Sequence, residues 1–146
     1  MKTILLVEDN EGDELLTIRA LRKSNVANEV IVARDGEEAL DYLFGTGKHA
    51  GRDTRALPAV ALLDLNLPKI GGLDVLRRVR AEELTRRLPV VVLTSSDEEQ
   101  DLIGSYDLGA NAYVRKPVDF AQFADAAKTL GLFWLILNEP PPPTTR

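Results

Sequence analysis

A chain of 146 residues is close to the usual size of one domain and long enough to enclose a single core. Apolar residues at 45% and charged residues at 28% exclude a disordered or fibrous chain, and a formal charge of −5 argues against nucleic acid as a partner. Cysteine is absent, so disulfides and thiolate sites are excluded, any metal must be held by hard ligands, oxygen above all, and a reducing cytoplasm is the expected setting.

The first apolar run, Ile4 to Val7, follows Met1-Lys2-Thr3 directly and is far shorter than a signal core or a membrane span, so no membrane segment is expected. Similar runs follow at Val30 to Ala33, Val60 to Leu63 and Val90 to Leu93, with a weaker one at Ala112 to Val114. Between them, apolar residues fall at helical spacing: Leu15, Ile18 and Leu21; Leu40, Leu43 and Phe44; Leu73, Leu76 and Val79; Leu102, Ile103 and Tyr106. Alternating strands and helices, with strands apolar on both faces, predict a parallel sheet covered on both sides. Pro58, Pro68, Pro89 and Pro117 all fall at element edges, where a missing N–H is tolerated.

Ser96-Asp97-Glu98-Glu99 reads as a capping box for the fourth helix, and Asp119 as a cap for a fifth. The polar, Gly-rich stretch Gly45 to Leu57 predicts a long mobile surface loop, with His49 a solvated histidine that lacks a ligand partner. Arg77, Arg78, Arg80, Arg86 and Arg87 read as a solvated helix face and the loop after it. From Leu130 to Leu137 the sequence is apolar nearly all round, more than one helix face can bury alone. A homodimer is therefore expected, with Leu132, Phe133, Trp134, Leu135 and Ile136 in the contact. Domain boundaries are placed at 1–138 for the folded unit and 139–146 for an extended Pro-rich tail containing Pro140 to Pro143.

In a parallel open sheet, chemistry gathers beyond the carboxyl ends of the strands. Here the first ends in Glu8-Asp9-Asn10, the third in Asp64-Leu65-Asn66, the fourth in Thr94-Ser95-Ser96, and the fifth leads into Arg115-Lys116-Pro117. Three converging carboxylates repel one another and call for positive charge, which a Mg2+-type ion and Lys116 would supply. So compensated, one carboxylate becomes a nucleophile for in-line phosphoryl transfer, with Thr94 offering a hydroxyl to the same phosphoryl oxygens.

Glu8-Asp9, Asp64, Thr94 and Lys116-Pro117, reinforced by Asp64-Leu65-Asn66-Leu67-Pro68 and Gly71-Gly72, resemble the receiver domain of two-component response regulators over roughly residues 3–130. The resemblance implies a doubly wound, flavodoxin-like or CheY-like fold, with five parallel strands in the order 2-1-3-4-5 and helices on both faces. It implies a signalling domain rather than an enzyme, assisting its own phosphorylation and dephosphorylation. Asp64 would be the phosphoacceptor for a sensor histidine kinase; Asp9, Asp64 and the Asn66 carbonyl would ligate Mg2+ directly, with Glu8 acting through a bound water, and Mn2+ or Ca2+ could substitute for it. Thr94, Ser95, Lys116 and Tyr113 would bind the phosphoryl group or switch with it, and Asn66 and Ser96 would tune its lifetime. Val118 departs from the aromatic often found after Lys-Pro. The long loop and the apolar last helix further resemble small regulators paired with phytochrome-type kinases, and the dimer would use the helix 4, strand 5, helix 5 face.

Two other phosphate chemistries fit less well. An aspartyl-phosphate phosphatase needs an acid two residues after its nucleophile, where this chain has Asn66. A flavin mononucleotide carrier needs a phosphate-cradling loop after strand one, where Glu8 and Asp9 would repel the ligand. A transcription factor would need an effector domain, longer than the tail that follows the last helix.

Overall fold

The computed structural model describes residues 3–23 and 28–116. Pro117, Val118, Asp119, the apolar segment with Leu132 to Ile136, and the 138/139 boundary lie outside the described residues. Within them, β1 (Ile4–Val7), α1 (Glu11–Lys23), β2 (Val30–Ala33), α2 (Gly36–Phe44), β3 (Val60–Leu63), α3 (Gly72–Ala81), β4 (Val90–Thr94), α4 (Glu99–Asp107) and β5 (Ala112–Arg115) follow in chain order. All five strands pair in parallel in the order β2-β1-β3-β4-β5, as the resemblance implied.

Alternation along the strands divides two cores. Leu5, Val7, Ala61, Leu63, Val90 and Val92 pack with α2 and α3, while Ile4, Leu6, Val60, Leu62, Val91 and Leu93 pack with Ala20 and Leu21 of α1. Every residue of β1, β3 and β4 is buried, which is why these strands read as unbroken apolar runs.

The helical stripes were less accurate. In α1 the buried positions are Glu14, Thr17, Ala20 and Leu21, whereas Leu15 is 56% exposed. In α4 the buried position is Ser105, and Ile103 and Tyr106 face outward at 51% exposure each. Both helices carry apolar residues on two sides, so spacing placed Leu21 and Ile18 of α1 correctly against the sheet but misplaced Leu15, Ile103 and Tyr106. The capping box also fails to form: Glu98 is the N-cap, without a side-chain bond, and Ser96 Oγ instead accepts from Glu98 N at 3.3 Å and donates to Asp101 Oδ2 at 2.5 Å.

The connection after α2 is not the loose loop its composition predicts. Gly45 caps α2 in the left-handed region at φ 65°, and a 3-10 turn follows at Gly47–His49. Arg52 then reaches back to α2, donating to the Tyr42 and Leu43 carbonyls at 2.6 and 3.4 Å and stacking 4.1 Å over the Tyr42 ring. It also holds its own loop through Ala56 O at 3.0 Å. One guanidinium thus satisfies carbonyls that a helix end leaves open. His49 is correspondingly not free in solvent: its ring meets Tyr42 edge-on, and Nε2 lies 3.6 Å from Glu38 Oε2.

Arg80 departs from the solvated reading of its arginine cluster. It donates to Gly109 O, Leu88 O, Arg86 O and Asn111 Oδ1, tying the end of α3 to the loops that lead into β4 and β5.

Gly72 begins α3 directly against the end of β3. A Cβ there would overlap the Asp64 carbonyl oxygen and lie 2.6 Å from the Leu65 Cα. Backbone has no rotamer with which to yield, so Gly72→Ala is expected to destabilise the fold by about 1–3 kcal/mol. Urea unfolding should show a lowered midpoint with little change in slope.

Candidate functional site

The period-2 pattern that fills the cores also aims the chemistry. Continuing Ile4 and Leu6 places Glu8 on the α1 face; Val60 and Leu62 place Asp64 there, and Ala112 and Val114 place Lys116 there. Backbone bonds extend the ladder one residue past the strands: Glu8 N to Ala33 O at 2.9 Å, Asp64 N to Val7 O at 3.1 Å, and Lys116 N to Thr94 O at 2.6 Å. Thr94 follows Val90 and Val92 toward the opposite face, where Tyr113 packs.

At this edge, carboxylate oxygens of Glu8, Asp9 and Asp64 all lie within 4.8 Å of one another. Glu8 and Asp64 are buried and Asp9 is exposed, giving a pocket with a wet side. Lys116 Nζ stands 2.5 Å from Glu8 Oε1, 2.9 Å from Asp13 Oδ2 and 3.4 Å from Asp64 Oδ2. Asp64 Oδ1 accepts from the Thr94 hydroxyl at 2.8 Å and from Asn66 N at 3.1 Å. Thr94 Oγ1 in turn accepts from Ser96 N at 3.3 Å, and the Tyr113 hydroxyl donates to Ser96 O at 3.2 Å. Ser95 and the Asn66 side chain lie at the exposed rim.

Among the described residues, Glu8, Asp9, Asp64, Asn66, Thr94, Ser95, Ser96 and Lys116 therefore sit at one sheet edge, with Tyr113 reaching Ser96 from within β5. Sequence reasoning missed Asp13 and Asn10. Asn10 Oδ1 caps α1 by accepting from Asp13 N at 2.9 Å, and Asn10 N donates to Glu8 Oε2 at 3.3 Å. A capping residue followed three positions later by an acid was the available signal.

Electrostatics follow from the geometry. Burial pushes the Glu8 carboxyl up from 4.5 to about 7; Lys116 opposes the shift, while the neighbouring Asp64 adds to it. Burial alone would lower the Lys116 ammonium, but its hydrogen bonds to Glu8 and Asp13 and the charges of Asp64 and Glu8 raise it above its usual value. Three carboxylates, Glu8, Asp13 and Asp64, thus surround one ammonium, and Asp9 joins Glu8 and Asp64 in the acidic cluster. The negative excess and all-oxygen donor set fit a hard divalent ion held by Glu8, Asp9 and Asp64.

A parallel sheet in this order, with an acidic trio, a hydroxyl and a lysine converging beyond its carboxyl edge, matches one family throughout. The family model of the response regulator receiver domain matches residues 4–128. The chain belongs to the response regulator receiver family. Among its relatives is the response regulator Rcp1 of Synechocystis sp., 38% identical over 92% of this chain and 89% of that protein. The Mn2+-bound form of Rcp1 superposes with a TM-score of 0.86 at 37% identity, covering 97% of this chain and 99% of that one. The phosphorylated cyanobacterial phytochrome response regulator RcpA gives a TM-score of 0.87 at 41% identity, covering 96% and 98%. The bacteriophytochrome response regulator RtBRR gives 0.79 at 56% identity, covering 97% and 85%. The protein is thus a receiver domain of two-component signalling, related to phytochrome response regulators, with a divalent metal as cofactor and a histidine kinase as the implied partner.

The sign of the Glu8 shift makes a prediction. Its folded pKa exceeds its unfolded one, so its contribution to stability is full below 4.5 and is lost as pH rises through about 7. A divalent cation offsets the charge that appears over that window. Mg2+ should therefore raise the melting temperature more at pH 8 than at pH 5, measured by calorimetry at fixed ionic strength. An equal shift at both pH values would contradict the placement of Glu8 beside the metal.

Proposed function

We propose that the chain is a single-domain response regulator whose Asp64 accepts a phosphoryl group from the phosphohistidine of a sensor kinase. The observation that carries this reading is the convergence of Asp64 with Lys116, Thr94 and the Glu8-Asp9 pair. Among the described residues Asp64 Oδ1 is engaged by Thr94 and Asn66, whereas Oδ2 meets only Lys116 at 3.4 Å, so Oδ2 is the oxygen free to attack. A new P–O bond forms as the donor P–N bond breaks; its electron pair returns to the imidazole nitrogen of the kinase histidine. When bound by Glu8, Asp9, Asp64 and the Asn66 carbonyl, Mg2+ neutralises phosphoryl charge and orients the transferring group. Lys116 faces the same oxygens from the opposite side, and Ser95 stands at the rim beside Thr94.

The product carries a charge of about −1.5 to −2 where the Asp64 carboxylate carried −1. Thr94 leaves Asp64 for the phosphoryl oxygen, which withdraws the acceptor of Ser96 N and frees room for Tyr113 to turn inward. Ser96 also holds Asp101 in the first turn of α4, so the change reaches that helix. Asn66 and Ser96 flank the path of hydrolytic water and set the phosphoryl lifetime, the domain thereby assisting its own dephosphorylation.

The kinase partner we infer is a bacteriophytochrome, supported by the likeness to RtBRR and RcpA. The receiver unit spans 1–138 with a tail at 139–146, in a cytoplasmic setting; among the described residues no helix is long and apolar enough to cross a membrane. The outward Ile103 and Tyr106 of α4 support a homodimer through the helix 4, strand 5, helix 5 face, extended by Leu132 to Ile136.

Incubation with acetyl phosphate and Mg2+, followed by intact mass, should give one phosphoryl adduct that chelator abolishes and Asp64→Asn removes. Uptake by Asp64→Asn at the wild-type rate would sink the reading. Light scattering at micromolar concentration should give twice the chain mass; a monomer there would remove the dimer.

A further inference from the structure

Lys116 has three N–H bonds, and three carboxylates stand around it at unequal distances. Glu8 Oε1 at 2.5 Å and Asp13 Oδ2 at 2.9 Å are firm hydrogen bonds; that to Asp64 Oδ2, at 3.4 Å, is long and weak. A lysine ammonium ends a flexible four-carbon stem and rotates freely unless acceptors fix it. With two hydrogens held, the direction of the third is set, and it is the direction of Asp64.

We propose that Asp13 is a positioning residue for phosphoryl transfer: together with Glu8 it fixes the Lys116 ammonium so that the remaining N–H faces the oxygen where the phosphoryl group arrives. This rests on Asp64 being the phosphoacceptor.

Asp13 is itself braced for the task. Its N–H donates to Asn10 Oδ1 at 2.9 Å, its carbonyl accepts from the buried Thr17 hydroxyl at 2.8 Å, and Asn10 N donates to Glu8 Oε2 at 3.3 Å. The two carboxylates that grip Lys116 are thereby linked through one capping residue. Their burial differs: the Glu8 side chain is 1% exposed and that of Asp13 38%. Asp13 therefore adds a second acceptor at the mouth of the site without a second buried carboxylate. When Asp64 becomes esterified, a phosphoryl oxygen takes the third N–H, and the bonds to Glu8 and Asp13 persist through the step.

The test compares Asp13→Ala, which removes the acceptor, with Asp13→Asn, which keeps an oxygen in place but removes the charge. Phosphorylation by acetyl phosphate is followed at saturating Mg2+ over a range of donor concentrations. Asp13→Ala should lower the maximal rate about 3- to 10-fold, as expected for a misaimed group, with donor half-saturation and Mg2+ affinity within about twofold of wild type. Asp13→Asn should recover at least half of the lost rate. Without metal, the Lys116 ammonium signal in nitrogen-detected NMR should exchange with solvent faster in Asp13→Ala than in wild type. A wild-type maximal rate in Asp13→Ala, equal losses in both variants, or unchanged ammonium exchange would each overturn the proposal. Those outcomes leave Asp64 as phosphoacceptor intact; a wild-type chain that takes up no phosphoryl group would overturn both readings.

Discussion

The ammonium of Lys116 is the charge around which the carboxyl edge of the sheet is organised. Glu8 and Asp64 are carboxylates from separate strands, both buried, and Asp13 joins them from α1. Without a central cation their mutual repulsion and desolvation would oppose closing the edge. Burial keeps the Glu8 carboxyl raised even with the ammonium beside it, and neighbouring Asp64 adds to the shift. The resting domain is thus held together by a lysine while remaining short of positive charge, the condition in which a divalent ion and an electrophilic phosphoryl group are both accommodated.

The sheet separates chemistry from output by parity. Glu8, Asp64 and Lys116 project to the side covered by α1, and Thr94 and Tyr113 to the side covered by α2, α3 and α4. Because Thr94 sits at the strand end, its hydroxyl still reaches Asp64 while its neighbour Ser96 bonds to α4. Asp64 is therefore connected to α4 across the sheet through three residues of backbone, Thr94 to Ser96. Across from it, α4 is lightly anchored: Ser105 is its buried residue, and its first turn lacks a side-chain cap from Glu98. Segments with few buried contacts open and shift at low free-energy cost, which suits α4 to respond.

The surrounding frame is correspondingly stiff. Arg52 closes the end of α2, Arg80 binds the end of α3 to the loops that lead into β4 and β5, and Gly72 lets α3 start against the Asp64 backbone. Lys69 occupies the left-handed region at φ 66°, a conformation costing a side chain about 1–2 kcal/mol, and reaches within 3.7 Å of both Asp35 and Glu37. These contacts dock the loop after β3 onto the start of α2.

The strands and the polar residues at their ends were legible in the sequence because burial on both faces leaves a pattern that needs no partner to read, whereas the strand order came only with the family resemblance. Ile4 to Val7, Val60 to Leu63 and Val90 to Leu93 are apolar for that reason, and the polar residue that ends each run marks the edge where chemistry begins. Helix faces were less legible, since Leu15, Ile103 and Tyr106 are apolar yet outward and only packing reveals which side of α1 or α4 the sheet covers. Arg52, Arg80 and His49 looked solvated because their partners are backbone carbonyls or residues distant in the chain, which composition does not encode. The sequence alone determined which side chains stand at the carboxyl edge, through strand periodicity; the tertiary structure decided that Asp13 joins Glu8 in holding Lys116, because that contact spans 103 residues and depends on how α1 lies across the sheet.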